Sequence, residues 1–221
     1  MPTLRLIEDR LPAGADAVYL PAAERALYVL DGDVTVETAT GSLHQAAGSA
    51  WLGDAALGFV AGSAARVLRW ELARADDPDT GVLRAAPHCT STARLAARVD
   101  LDPAFGWLMR CDRVLFPKGG IAYTHVHQGP GIRYCLEGRI RIEIEGQSQS
   151  YGPGEPWFED GAAPVLAPTS EDEETAFVRC FVLPRACKGR SSIRYVLQED
   201  AARPKTQRYR VLGERFIALP A

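Results

Sequence analysis

Tyr134-Cys135-Leu136-Glu137-Gly138-Arg139-Ile140-Arg141-Ile142-Glu143 has an echo 106 residues earlier, in Tyr28-Val29-Leu30-Asp31-Gly32-Asp33-Val34-Thr35-Val36-Glu37. The same spacing carries Gly48 onto Gly154 and Trp51 onto Trp157, and Leu11-Pro12-Ala13-Gly14 falls on Phe116-Pro117-Lys118-Gly119 at a spacing of 105. Four separate matches at nearly one offset indicate two tandem copies of one unit. Both copies read as short strands. Val34-Thr35-Val36-Glu37 and Ile140-Arg141-Ile142-Glu143-Ile144 alternate apolar and polar residues, the period of a half-buried strand. Arg66–Leu72 and Phe177–Leu183 read as a late strand in each copy, and Asp31-Gly32, Glu145-Gly146 and Gly152-Pro153-Gly154 as turns. Strands at this spacing specify an all-β antiparallel barrel or sandwich in each copy.

Just upstream of the second echo lies Gly119-Gly-Ile-Ala-Tyr123-Thr-His125-Val-His127-Gln128-Gly-Pro-Gly131-Ile-Arg133-Tyr-Cys135. In a strand, residues i and i+2 share a face, so His125 and His127 project side by side. Alternation gives Tyr123 the same inward direction and, after the Gln128–Gly131 loop, gives it to Arg133 and Cys135. Paired neutral imidazoles suit zinc, copper, iron or nickel. An inward arginine reads as an anion clamp, its fork gripping a carboxylate or phosphate. It reads equally as an internal ion pair with Glu143 or Glu159. The first copy has no such pair: the equivalent positions fall near Tyr19–Ala22, and its only histidine, His44, reads as a surface residue in a turn.

The stretch resembles the first motif of the cupin family. Gly119, His125, His127 and Gly138 match at the family's spacing, and the family's glutamate slot falls on Gly131. Gly154–Gly161 resembles the first half of the second motif, whose histidine slot falls on Val165 or Pro164. The resemblance covers about Arg113 to Leu183. It implies two tandem jelly-roll barrels, a bicupin. The expected division is 1–75 for a barrel without metal ligands, 84–190 for the barrel with the His-x-His motif, and 191–221 for an extension. It also implies a homodimer.

For the second barrel the residues and the resemblance together allow a divalent transition metal (iron, manganese, zinc or nickel) on His125 and His127, with Gln128, Glu159, Glu137 or water completing the shell. Tyr123, Arg133 and Cys135 are the candidate substrate contacts, and Tyr123 and Arg133 the candidate catalytic groups. The expected function is an oxygenase, isomerase or decarboxylase acting on a small carboxylate. The alternative is a non-catalytic ligand-binding or sensor module, and a bicupin with two inert barrels is a third reading.

Composition narrows the partners. A net charge of -3 on 221 residues lacks the basic excess of a nucleic-acid binder. No apolar run is long enough to span a bilayer, and Met1–Leu20 lacks the apolar core of a signal peptide. Five scattered cysteines without a Cys-x-x-Cys pair read as free, mostly buried thiols in a reducing, cytoplasmic setting. Ala73–Gly81 reads as the linker, Ser170–Glu174 as a solvated acidic turn, and Ile193–Leu197 as a strand in the tail.

Overall fold

The computed structural model describes residues 1–77, 81–83 and 88–220. It divides into two compact units, one formed by residues 1–104 with 215–221 and the other by residues 105–214. Nearly every segment is a strand, and the strands of its sheets pair antiparallel.

The first unit contains β1 (Thr3–Leu11), β2 (Val18–Leu20), β3 (Glu24–Asp31), β4 (Asp33–Thr38), β5 (Gly41–Ala46), β6 (Ala50–Gly53), β7 (Leu57–Ala61), β8 (Ala65–Ala73) and β9 (Thr90–Arg98). They form one sheet of order β6-β3-β8-β1-β9 and another of order β2-β7-β4-β5. The second unit is built from β10 (Trp107–Phe116), β11 (Ile121–His127), β12 (Gly131–Glu137), β13 (Ile140–Ile144), β14 (Gln147–Tyr151), β15 (Pro156–Glu159), β16 (Val165–Pro168), β17 (Thr175–Pro184), β18 (Ile193–Tyr195) and β19 (Arg208–Ile217) as far as Glu214, the last three residues of β19 belonging to the first unit. Its sheets run β15-β12-β17-β10-β19 and β14-β13-β16-β11-β18. Strand for strand, β15-β12-β17-β10 repeats β6-β3-β8-β1, and β14-β13-β16-β11 repeats β5-β4-β7-β2. The repeat seen in sequence is therefore a repeat of topology.

The packing explains why the echoed residues recur. Gly32 and Gly138 sit in the β3–β4 and β12–β13 corners with φ of 74° and 72°. A Cβ there would run into the Ala64 and Glu174 carbonyls respectively, so the corner needs glycine on both steric counts. Inward alternation then fills each barrel. Leu27, Val29, Val34, Val36, Phe59 and Val67 cluster in the first, and Val114, Phe116, Ile140, Ile142, Trp157 and Phe177 in the second.

Several boundaries differ from the sequence reading. Thr90–Arg98 falls within the expected second copy, whose start at Arg84 lies outside the described residues. The structure instead zips this segment onto β1 along a full ladder, Thr3↔Arg98 to Arg10↔Thr90, which ties it to the first unit. Gly41–His44 is the start of strand β5 rather than a turn, though His44 is exposed as expected. Of the expected linker Ala73–Gly81, Ala73 is the last residue of β8 and Pro78–Thr80 lie outside the described residues. The tail is no appendage: β18 and β19 extend the two sheets of the second unit, and a short helix α1 (Gln198–Ala202) stands between them. Among the described residues, no helix is long and apolar enough to cross a membrane.

Candidate functional site

Strand β11 carries the two histidines into a cavity of about 350 Å³ inside the second unit. Its base is apolar, lined by Val114, Phe116, Ile140, Ile142, Trp157 and Phe177. Its polar wall comes from β10 (Arg110, Asp112), β11 (His125, His127), Glu159, Arg179 and the tail residues Ser191, Ser192, Tyr195, Lys205, Gln207 and Tyr209.

His125 and His127 are both buried, and their rings meet edge to face with centroids 4.9 Å apart. Nδ1 of His125 lies 2.7 Å from the Tyr123 carbonyl. That oxygen can only accept, so Nδ1 carries the proton and Nε2 keeps its lone pair. Burial lowers the pKa of both imidazoles, His127 well below its ordinary value, where the nearby Arg179 and Arg133 charges add to the effect. Both rings are therefore neutral at pH 7.

Alternation fails at one point on this strand, and that decides the fate of Tyr123. The β11–β16 register shifts between Ala122 and His125. Such an irregularity re-aims side chains. Ala122 joins the histidines on the cavity wall, whereas Tyr123 does not line it. The Tyr123 ring lies instead against cationic tail residues, 4.9 Å from the Arg203 guanidinium and 5.8 Å from the Lys205 amine.

Arg133 points inward as expected, but it is spent on the protein. Its Nη2 is 2.7 Å from Glu159 Oε2, at an angle too poor for a hydrogen bond, and its Nη1 donates to the Gly131 carbonyl at 2.6 Å. The ring of Phe181 lies 5.0 Å from its guanidinium carbon. Burial lowers its pKa to about 10, and the Glu159 charge only partly opposes this. The internal ion pair with Glu159, one of the two readings open in the sequence, is the one observed. Gly131, in the family's glutamate slot, is closely packed: a Cβ there would lie 2.7 Å from the Cys180 carbonyl oxygen and 2.8 Å from the Phe181 ring. Cys135 is buried in the apolar cluster, where desolvation raises its thiol to about 11, and it does not line the cavity. Gln128 is exposed and accepts a hydrogen bond from the Cys187 thiol.

The donor set does not suit a resident metal. No group of three or more histidine, cysteine, aspartate or glutamate side chains converges on a common point among the described residues. The nearest carboxylate to the imidazoles, Glu159, stands 3.7 Å from His127 Nε2. Its two oxygens are already engaged, Oε2 by Arg133 and Oε1 by the Trp157 indole N–H at 2.8 Å. Catalytic zinc takes about three protein ligands and non-haem iron two histidines and a free carboxylate. Two imidazoles alone meet neither requirement.

Most of the polar wall was invisible to motif reading. β18 pairs across the His-x-His strand, setting Tyr195 opposite His125 and Ile193 opposite His127. Gln207 donates from its amide to the Tyr195 hydroxyl at 3.0 Å, while its own Oε1 is buried without a partner. Lys205 lies 3.9 Å from the Tyr195 ring centroid and donates to the Asp200 carbonyl. Arg179 is held by Asp112 at 2.6 Å, and Arg110 by Glu214 and the Cys187 carbonyl. The repeat could have flagged one of these, Arg110, 105 residues after Arg5; Arg179 stands where Arg69 does only by the strand ladders, at a spacing of 110. Nothing in the tail's composition marks Tyr195, Lys205 or Gln207.

No family model and no curated protein matches this chain. Solved structures do. A variant of oxalate decarboxylase from Bacillus subtilis superposes with a TM-score of 0.65 at 13% identity, covering 92% of this chain and 74% of its own. The chain has the cupin fold. AerE from Microcystis aeruginosa (TM-score 0.59, 15% identity, 83% of this chain and 88% of that one) agrees with this. So does a cupin 2 conserved barrel domain protein from Leptotrichia buccalis (0.52, 13%, 82% and 85%). At these identities the likeness is one of fold, and the fold hosts many unrelated chemistries.

Proposed function

We propose that the second cupin barrel is a binding chamber for a small organic anion with an apolar body, and that it works without a resident metal. The observation that carries this is how the wall's charges are used. Arg110 and Arg179 are neutralised by Glu214 and Asp112. Lys205 is the cavity-lining cation with no carboxylate at ion-pair distance among the described residues, and it donates a hydrogen bond to the Asp200 main-chain carbonyl. Behind it lies an apolar base in a cavity near the lower end of the roughly 300–1,000 Å³ usual for small-molecule sites. A carboxylate at Lys205 with a ring or short chain against Ile142, Trp157 and Phe177 satisfies both ends. The buried Gln207 Oε1 and the His125 Nε2 lone pair would accept hydrogen bonds from a hydroxyl on the same molecule. One neighbour in fold is named for action on oxalate, which fits an anionic ligand in general but not the apolar base seen here.

Calorimetry with benzoate and with oxalate tests the reading. Benzoate is expected to bind the wild type more tightly than oxalate, because burying its ring adds apolar transfer energy. Lys205→Met is expected to weaken benzoate roughly tenfold, the worth of one charge-assisted hydrogen bond. Benzoate affinity unchanged in Lys205→Met, or stoichiometric metal that is lost in His125→Ala with His127→Ala, would refute it.

A further inference from the structure

The first barrel holds a second cavity, of about 570 Å³, that shares no residue with the first. Its polar wall is a buried ion network. Glu71 receives three guanidiniums: Arg5 through Nη2 at 2.8 Å, Arg25 through Nε at 2.8 Å and Arg69 through Nη1 at 2.9 Å. Arg69 also donates to Asp9 at 2.7 Å and to the Gly81 carbonyl at 2.8 Å. The other carboxylates facing this cavity are engaged as well. Glu24 and Asp54 pair with Arg215, and Asp77, at the rim, lies 3.4 Å from Arg5. Arg74, the remaining lining cation, pairs with Asp76 at the surface.

One donor is left over. Arg25 is 1% exposed and lines the cavity. Its Nη2 donates to the Pro21 carbonyl at 2.9 Å, but its Nη1 is buried with no hydrogen-bond partner. A buried unmatched donor on a charged group is costly, and native proteins generally supply it with an acceptor. Burial lowers the Arg25 pKa; the Glu71 charge opposes this, and Arg69 and Arg5 add to it. The rest of the lining is aliphatic, with Leu20, Leu72 and Leu83 beside the network.

We infer that the first barrel is a second ligand site, in which a small aliphatic monocarboxylate places one oxygen on Arg25 Nη1 and its chain against the leucines. The His-x-His motif of the second barrel has no counterpart in this one, so sequence motifs give it no role. Its site is defined by the leftover donor and by a cavity roomy enough for the acceptor that donor lacks. One carboxylate oxygen completes the coordination of Arg25 without disturbing Glu71, and the single charge is matched by the single unused N–H. A dicarboxylate would bring a second anion against leucines and the engaged acids, and is disfavoured by that chemistry.

Butyrate is the probe, titrated calorimetrically into the full chain carrying Lys205→Met, so that the second barrel contributes little heat. Adding Arg25→Met is expected to weaken butyrate at least tenfold, with Glu71 still held by Arg5 and Arg69 so that the barrel stays folded. Adding Ala23→Phe instead narrows the cavity beside Arg25, leaves every ion pair intact, and is expected to lower affinity to a similar degree. Circular dichroism on each variant checks the fold. If Arg25→Met does not fold, Ala23→Phe decides alone. Failure of the Lys205→Met protein to bind butyrate at millimolar concentration, or unchanged affinity in a folded Arg25→Met or Ala23→Phe variant, would overturn the inference. Loss of benzoate binding in the second barrel, by contrast, would leave it standing.

Discussion

The two barrels solve one structural problem with the same arginines and different acids. Arg5 and Arg110 stand at matching positions on β1 and β10, and Arg69 and Arg179 on β8 and β17, as the ladders show: Leu27 faces Arg69 where Arg133 faces Arg179. The third arginine and the glutamate have both moved to new slots. In the first barrel Arg25 faces Glu71 across β3 and β8. The equivalent slots in the second hold Gly131 and Phe181. There the charges appear one step along, on Arg133 and Glu159, where the first barrel has Leu27 and Gly53. This relocation decides where the cavities can be polar. With Glu71 at the centre of three guanidiniums, the first barrel's charge gathers around Arg25. Moving the acid to Glu159 ties up Arg133 and leaves the imidazoles beside an apolar base.

That comparison can be broken by removing each acid. Glu71→Gln leaves the buried Arg25 with no carboxylate and takes one from Arg69, which keeps Asp9, and one from the partly exposed Arg5, which keeps Asp77, whereas Glu159→Gln strands Arg133 alone. Removing one partner of a buried pair costs about 3–5 kcal/mol. In urea denaturation the Glu71 variant is expected at or above the top of that range and the Glu159 variant below it. The reverse order would mean that the networks are not equivalent.

Acid titration separates the units next. Burial alone would raise the Glu71 pKa, but Arg69, Arg25 and Arg5 outweigh it and hold the carboxyl at about 2 against an ordinary 4.5. The unfolded chain then binds more protons between those values, so this stabilisation is full above pH 4.5 and lost as pH falls towards 2, a change of about 3 kcal/mol. His127, also depressed, is neutral when folded and takes a proton when unfolded below 6.5. Its unit should lose stability as pH falls through 6.5, well before the first. Tryptophan fluorescence against pH, with His127→Gln as control, is expected to show two onsets in that order. A single onset near 4.5 would discard the assignment.

The smallest effect sharpens the site itself. Gly131→Ala would force a methyl against the Cys180 carbonyl oxygen and the Phe181 ring, and overpacking of this kind costs about 1–3 kcal/mol. Thermal denaturation should show this loss, whereas an open slot at Gly131 would make the change neutral.

Sequence alone settled the tandem β architecture, the inward pair His125 and His127, and the inward direction of Arg133. These follow from local rules: a period of two fixes which face a side chain takes, and the Asp31-Gly32 and Glu137-Gly138 corners fix where the strands turn. Where a local rule broke, the reading broke with it. The register shift between Ala122 and His125 sent Tyr123 out of the cavity, and nothing in Ile121-Ala122-Tyr123-Thr124 announces it. Alternation also gives a side chain's direction but not what lies at its end. Only the tertiary structure brought Glu159 to Arg133, left Arg25 Nη1 unmatched, and laid Tyr195, Lys205 and Gln207 over the histidines. Those contacts join residues tens of positions apart, so they depend on how the sheets close, a property no segment carries by itself.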